Sequence, residues 1–123
     1  MTERNLQARP VLTEKELSAQ IVREAKRCGW LVYHTYRSTH SPAGFPDLAM
    51  VREQGDGAAV LMFAELKSEK GKLSEPQAAW ISLLEKVPGV GVFVWRPANL
   101  EEAYKVLVYG PSTTITVEEG KKP

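Results

Sequence analysis

GFPDLAMVREQGDGAAVLMFAELK, residues 44–67, contains two apolar segments of strand length around one turn. The turn signal is Gln54-Gly55-Asp56-Gly57. Folding the segment about Asp56 as a hairpin places Asp47 opposite Glu65. Strand side chains alternate between faces, so Glu65 and Lys67 project from one face and Leu66 from the other. Two carboxylates and an ammonium then converge on one point, an arrangement that suits a hard divalent cation and a water nucleophile.

The flanking sequence supplies the rest of the fold. Thr13 to Cys28 reads as a helix, with Leu17, Ile21, Ala25 and Cys28 at helical spacing and Gly29 as its stop. Thr13 and Glu16 form a capping box at its start. Trp30 to Tyr36 is rich in aromatic and β-branched residues and reads as a strand, and Arg37 to Pro46 as a loop. Asp47 to Arg52 and Ala58 to Lys67 are the hairpin strands, followed by a polar connector from Ser68 to Leu73. Ser74 to Val87 reads as a second helix, capped by Ser74, with Pro76 in its first turn and Trp80, Leu83, Leu84 and Val87 as its apolar stripe. Pro88-Gly89 ends it. Val90 to Trp95 is almost wholly apolar, the pattern of a strand buried on both faces. Asn99 to Leu107 reads as a short helix with Leu100, Ala103, Tyr104 and Leu107 inward, and Val108 to Val117 as an edge strand. The strand-helix-strand unit from Val60 to Trp95 requires a parallel crossover. The expected fold class is α/β: a mixed β-sheet flanked by helices, with an α-β-β-β-α-β core.

A chain of 123 residues is one domain, here 1–123, with loose arms at 1–12 and 118–123. Its net charge of +1 gives no global basic field, so any nucleic-acid contact must come from a local patch. The single cysteine, Cys28, excludes an intramolecular disulfide and a cysteine-rich zinc site. No apolar run reaches membrane-spanning length and no signal pattern opens the chain, which leads us to expect an untargeted cytoplasmic protein with no membrane partner. No glycine-rich phosphate loop and no Gly-x-Ser-x-Gly motif occurs.

Several side chains carry two readings. Asp47 fits a turn before a strand, and Glu65 and Lys67 fit a solvated strand end. However, the run Val60-Leu61-Met62-Phe63-Ala64 is apolar throughout, so the strand reads as covered. An acid pair buried there is costly unless a cation sits between its members. Glu16 is explained by the capping box. Glu14 falls on the inward stripe, three residues before Leu17, and is the preferred additional acid, with Glu16 as the open alternative. Gln77 fits both a capping box with Ser74 and a position facing the sheet. His34, Tyr36, Arg37 and His40 form a basic and aromatic stretch suited to phosphate and base contacts, and Lys70 and Lys72 extend it.

The pattern helix, strand, strand with Asp, strand with Glu-x-Lys, helix, strand resembles the restriction-endonuclease-like core of the PD-(D/E)xK nucleases. Within that superfamily, Gly44-Phe45-Pro46-Asp47, Ala64-Glu65-Leu66-Lys67 and Leu73-Ser74-Glu75-Pro76-Gln77 with Trp80 resemble the VRR-NUC family, whose stand-alone members are common in phages and bacteria. The match spans roughly Thr13 to Pro97. The resemblance implies a DNA endonuclease that uses Mg²⁺ or Mn²⁺, with Asp47, Glu65 and the Leu66 carbonyl as ligands. It implies that Lys67 orients or deprotonates water, that Glu14 serves a second metal or its water, and that Gln77 positions Lys67 or the scissile phosphate. A branched substrate such as a four-way (Holliday) junction and a homodimer that cuts both strands are further expectations. The cell would be a bacterium or a phage-infected host. Two other readings are a binding module without catalysis and a nuclease subunit that needs a partner.

Overall fold

The computed structural model describes residues 11–35 and 41–111. Helix α1 (Glu14–Arg27) leads into strands β1 (Leu31–His34), β2 (Leu48–Glu53) and β3 (Ala59–Leu66). Helix α2 (Glu75–Leu84), strand β4 (Val90–Trp95), a 3-10 turn (Pro97–Asn99) and helix α3 (Leu100–Tyr109) follow. The four strands lie in chain order. β1 with β2 and β2 with β3 are antiparallel, and β3 with β4 is parallel. This is the mixed α/β sheet expected from the sequence.

The hairpin register is also the expected one. Leu48 pairs with Ala64 and Glu53 with Ala59, so one residue beyond the ladder Asp47 comes across from Glu65. The turn is closed by the Ala58 N–H on Asp56 Oδ1 and by Gly57 at φ +90°, a backbone region that favours glycine. A two-residue periodicity fixes the faces thereafter. Leu48, Met50, Met62, Ala64 and Leu66 point into the core, where α1 buries Leu17, Ile21 and Ala25 and α3 buries Ala103, Val106 and Leu107.

The ends of α1 and α3 are tied to this core by one cation. Arg52 lies 4.5 Å from the Trp30 ring centroid and donates to the carbonyls of Cys28, Leu107 and Val108. Trp30 Nε1 adds a 2.8 Å bond to the Leu107 carbonyl. Carbonyls at helix C-termini lack intrahelical partners, and a guanidinium is well shaped to supply several of them.

Four expectations require correction. Among the described residues β4 ends the sheet, and residues 90–94 are only half-buried while Trp95 alone is buried. A strand with one neighbour cannot have both faces and an edge covered, whatever its hydropathy. α2 stops at Leu84, and its buried residue is Ile81, while Trp80, Leu83 and Val87 are exposed. It rests on the β3–β4 side of the sheet and leaves the rest of that face open, which exposes Leu31, Tyr33 and Leu61. α3 runs through Tyr109, so no strand begins at Val108; positions 112–117 lie outside the described residues. Of the expected arm at 1–12, Val11 is exposed and Leu12 packs against the core, while positions 1–10 and the tail 118–123 lie outside the described residues.

Candidate active site

The loop that delivers Asp47 is built by its own motif. Gly44 has φ +102°, and a Cβ there would sit 2.6 Å from the Pro76 backbone at the start of α2. The chain can therefore cross α2 only without a side chain at this point. Phe45 meets Phe63 and Trp80 edge-on, with centroids 5.7 and 5.0 Å apart. Pro46 is fully buried and disfavours helix at Phe45. We expect Gly44→Ala to cost about 3 kcal/mol or more through strain and overpacking, seen as a lower urea midpoint at unchanged slope.

Asp47 enters the site from this anchored turn. Its Oδ2 accepts a 2.8 Å bond from the Leu66 N–H, so the carboxylate is stitched to β3 beside Glu65. Glu65 is 1% exposed. Lys67 Nζ lies 3.7 Å from Glu65 Oε2, and Gln77 Nε2 donates to the same oxygen at 3.0 Å. Gln77 also completes the capping box of α2: its Oε1 accepts from the Ser74 N–H, and its N–H donates to the Ser74 hydroxyl. Both readings of Gln77 hold together. One amide caps the helix and holds the acid, which fixes α2 against the sheet at the site.

Glu65 carries the electrostatic signature of the site. Burial, and after it the charge of Asp47, push its pKa up to about 7, against the opposing pull of Lys67. Its second oxygen, Oε1, is buried with no donor facing it, and isolated carboxylates are rarely left this way. When protonated, Glu65 can share its proton with the neighbouring Asp47 carboxyl, which adds to the upward shift. Among the described residues no three His, Cys, Asp or Glu side chains gather into a cage. The available donors are the two carboxylates of Asp47 and Glu65, hard oxygen ligands few enough to leave a magnesium-like ion several waters. The residues therefore fit Mg²⁺ or Mn²⁺.

A cavity of about 670 Å³ opens over this group, lined by Asp47, Glu65, Lys67, Gln77, Glu14, Tyr33, Thr35 and the loop 41–45. Glu14 thus reaches the site, and its charge contributes to raising Glu65. It is exposed and not inward as its spacing suggested: the buried stripe of α1 begins at Leu17. Glu16 is occupied in the Thr13 capping box. His34 faces α1, with Nε2 3.4 Å from Ser18 Oγ, and is turned to the sheet face opposite Asp47. Tyr36, Arg37 and His40 lie outside the described residues. Lys70 and Lys72 lie on the connector beyond Lys67.

That connector is held by a residue the sequence did not mark. Arg96 Nη1 donates to the carbonyls of Ser68, Glu69 and Gly71 at 2.9, 3.4 and 2.5 Å. The Lys67 N–H donates to the Trp95 carbonyl beside it, and the Glu69 carboxylate accepts from the Ala98 N–H. No motif or spacing announces three carbonyls turned toward one guanidinium. Arg96→Ala is expected to destabilise by about 2–4 kcal/mol, since bonds to a charged donor are worth more than neutral ones. Lysine at this position should recover only part of the loss by thermal melting.

A family model for the VRR-NUC domain matches residues 3–98. Two solved structures share the fold. One, titled a VRR_NUC domain, is 23% identical, with a TM-score of 0.58, covering 78% of this chain and 96% of its own. The other, titled a VRR_NUC domain protein, is 18% identical, also with a TM-score of 0.58, covering 80% of this chain and 90% of its own. No curated protein matches the sequence. With Asp47, Glu65 and Lys67 gathered on an α-β-β-β-α-β sheet and the family model spanning most of its length, the chain belongs to the VRR-NUC family, nuclease-type domains of PD-(D/E)xK fold.

Proposed function

We propose that this protein is a divalent-metal-dependent DNA endonuclease that hydrolyses phosphodiester bonds, with branched DNA as its preferred substrate. The observation that carries the reading is Glu65: a buried carboxylate set across from Asp47, raised to about 7, with one oxygen left without a partner. A cation between the two acids relieves their repulsion and supplies the missing partner.

Asp47, Glu65 and the Leu66 carbonyl would hold Mg²⁺ or Mn²⁺, with Glu14 at the rim for a second ion or its water. When bound, such an ion makes water a nucleophile near neutral pH and offsets the charge that gathers on the phosphoryl oxygens. Lys67 orients the attacking water and donates to a phosphoryl oxygen as the new P–O bond forms and the old one breaks in line. Gln77 keeps Glu65 in place throughout. Lys70 and Lys72 meet the backbone phosphates beyond the scissile bond.

Family membership and the open cavity support a nucleic-acid substrate. Lys67 in the cavity wall, with Lys70 and Lys72 on the connector that follows it, suits phosphates better than base edges, which favours shape over sequence as the feature recognised. The test is a labelled panel of linear duplex, single strand, flap and four-way junction, incubated with Mg²⁺, Mn²⁺ or chelator. We expect cleavage of flap or junction only with metal. Binding that persists unchanged in chelator without any cutting would identify a binding module or a subunit that needs a partner.

A further inference from the structure

Thr35 closes a row of oxygen-bearing side chains that the sequence did not reveal. In the β1–β2 ladder His34 pairs with Leu48. One step further, Thr35 comes opposite Asp47, and its N–H donates to the Asp47 carbonyl at 2.7 Å. The β2–β3 ladder in turn sets Asp47 opposite Glu65. Opposed residues of antiparallel strands project to one face, with Cβ atoms about 4.5–5.5 Å apart. Thr35, Asp47 and Glu65 therefore line up across three strands, and all three border the same cavity.

Two atoms in that row share an unusual state. Thr35 Oγ1 and Glu65 Oε1 are both shut off from solvent without a hydrogen-bond partner. Among the described residues the third such side-chain atom is Trp95 Nε1, which belongs to the other face of the sheet. An unsatisfied buried hydroxyl costs stability that an isosteric valine would avoid. Its partner is accounted for once the site is filled: a magnesium-like ion keeps several of its waters, and hydrogen bonds to that outer layer set both affinity and geometry.

We propose that Thr35 is a positioning residue whose hydroxyl holds a water of the hydration shell around a cation seated between Asp47 and Glu65. The inference rests on reading those two carboxylates as a cation site, and the experiment separates the two. Mn²⁺ affinity of the full chain is measured at pH 8 from the electron paramagnetic resonance signal of the free ion, for the wild type, Thr35→Val and Thr35→Ser. Melting temperatures are taken without cation. We expect Thr35→Val to bind Mn²⁺ about tenfold more weakly while melting at or above the wild-type temperature, and Thr35→Ser to bind within about twofold of wild type. Wild-type affinity in Thr35→Val, a cation-free melting temperature several degrees lower in that variant, or an equal loss in Thr35→Ser would each overturn the role of the hydroxyl and leave the cation site standing. Absence of saturable Mn²⁺ binding in the wild type would overturn both.

Discussion

Glu65→Gln is expected to abolish cleavage, by roughly 10³-fold or more, and at the same time to stabilise the cation-free protein above pH 7. The sign follows from proton linkage. Glu65 has a folded pKa of about 7, raised by burial and by Asp47, against 4.5 as its ordinary value. A group with a raised folded pKa contributes stability that is fully present below its unfolded pKa and lost as pH rises through the folded one. Between about pH 4.5 and 7 the folded state keeps its proton and the unfolded state has released it. At pH 8 the folded protein carries an ionised, buried carboxylate, a penalty of roughly 3 kcal/mol for the gap between its folded and unfolded pKa values. Glutamine removes the charge and retains an oxygen for the Gln77 amide. Part of the gain is offset because Lys67 loses its counter-charge. A net of about 2 kcal/mol remains, or roughly 6 °C in melting temperature. At pH 4 the two proteins should melt alike. A variant that is more stable and inactive separates a functional acid from a structural one, since removing a structural ion-pair partner destabilises.

Lys67→Met carries the second large effect. Lys67 is 13% exposed in its side chain and points at Glu65 from the same strand face. Methionine preserves most of its length and packing while removing the ammonium. We expect the cleavage rate to fall roughly 10²–10⁴-fold, with cation binding retained at pH 8, because the two carboxylates remain. Lys67 also draws the Glu65 pKa down, so its removal should move the acid limb of the remaining pH–rate profile to higher pH. Loss of activity without that alkaline movement would mean that Lys67 serves the substrate alone and has no part in poising the acid. Single-turnover rates across about pH 5.5–9 measure both quantities.

The parts of this architecture legible in the sequence are those governed by short, local rules. The β2–β3 hairpin is readable because one turn signal and a two-residue alternation leave a single register that faces apolar residues one way. The capping boxes at Thr13 and Ser74 are readable because each is contained within four consecutive residues. Placement across the sheet is not. The hydropathy of Val90 to Trp95 does not say whether a fifth strand lies beyond it. The spacing of Gln77, Trp80, Leu83 and Leu84 allows two helix faces, and the choice of Ile81 as the buried one depends on where Phe45 and Gly44 hold α2. Glu14 lies on an inward stripe by periodicity, yet burial along α1 begins only at Leu17 and Glu14 borders the cavity instead. Thr35 and Arg96 are invisible for a related reason. Thr35 meets Asp47 only through the pairing of β1 with β2, and Arg96 finds its acceptors in the connector between β3 and α2.

The site itself is legible in outline because its chemistry is improbable otherwise. Asp47, Glu65 and Lys67 come together as the hairpin register requires, and Gln77 joins them from α2. The structure adds the state of Glu65: enclosed, elevated in pKa and half-satisfied.

The cation site is open to direct test by calorimetric titration of Mg²⁺ and Mn²⁺ into the purified chain at pH 8, with Glu65→Gln in parallel. We expect saturable binding to the wild type that weakens as pH falls below about 7, and no comparable heat with Glu65→Gln. Equal binding to both proteins, or DNA cleavage that continues undiminished in chelator, would contradict a cation held between Asp47 and Glu65.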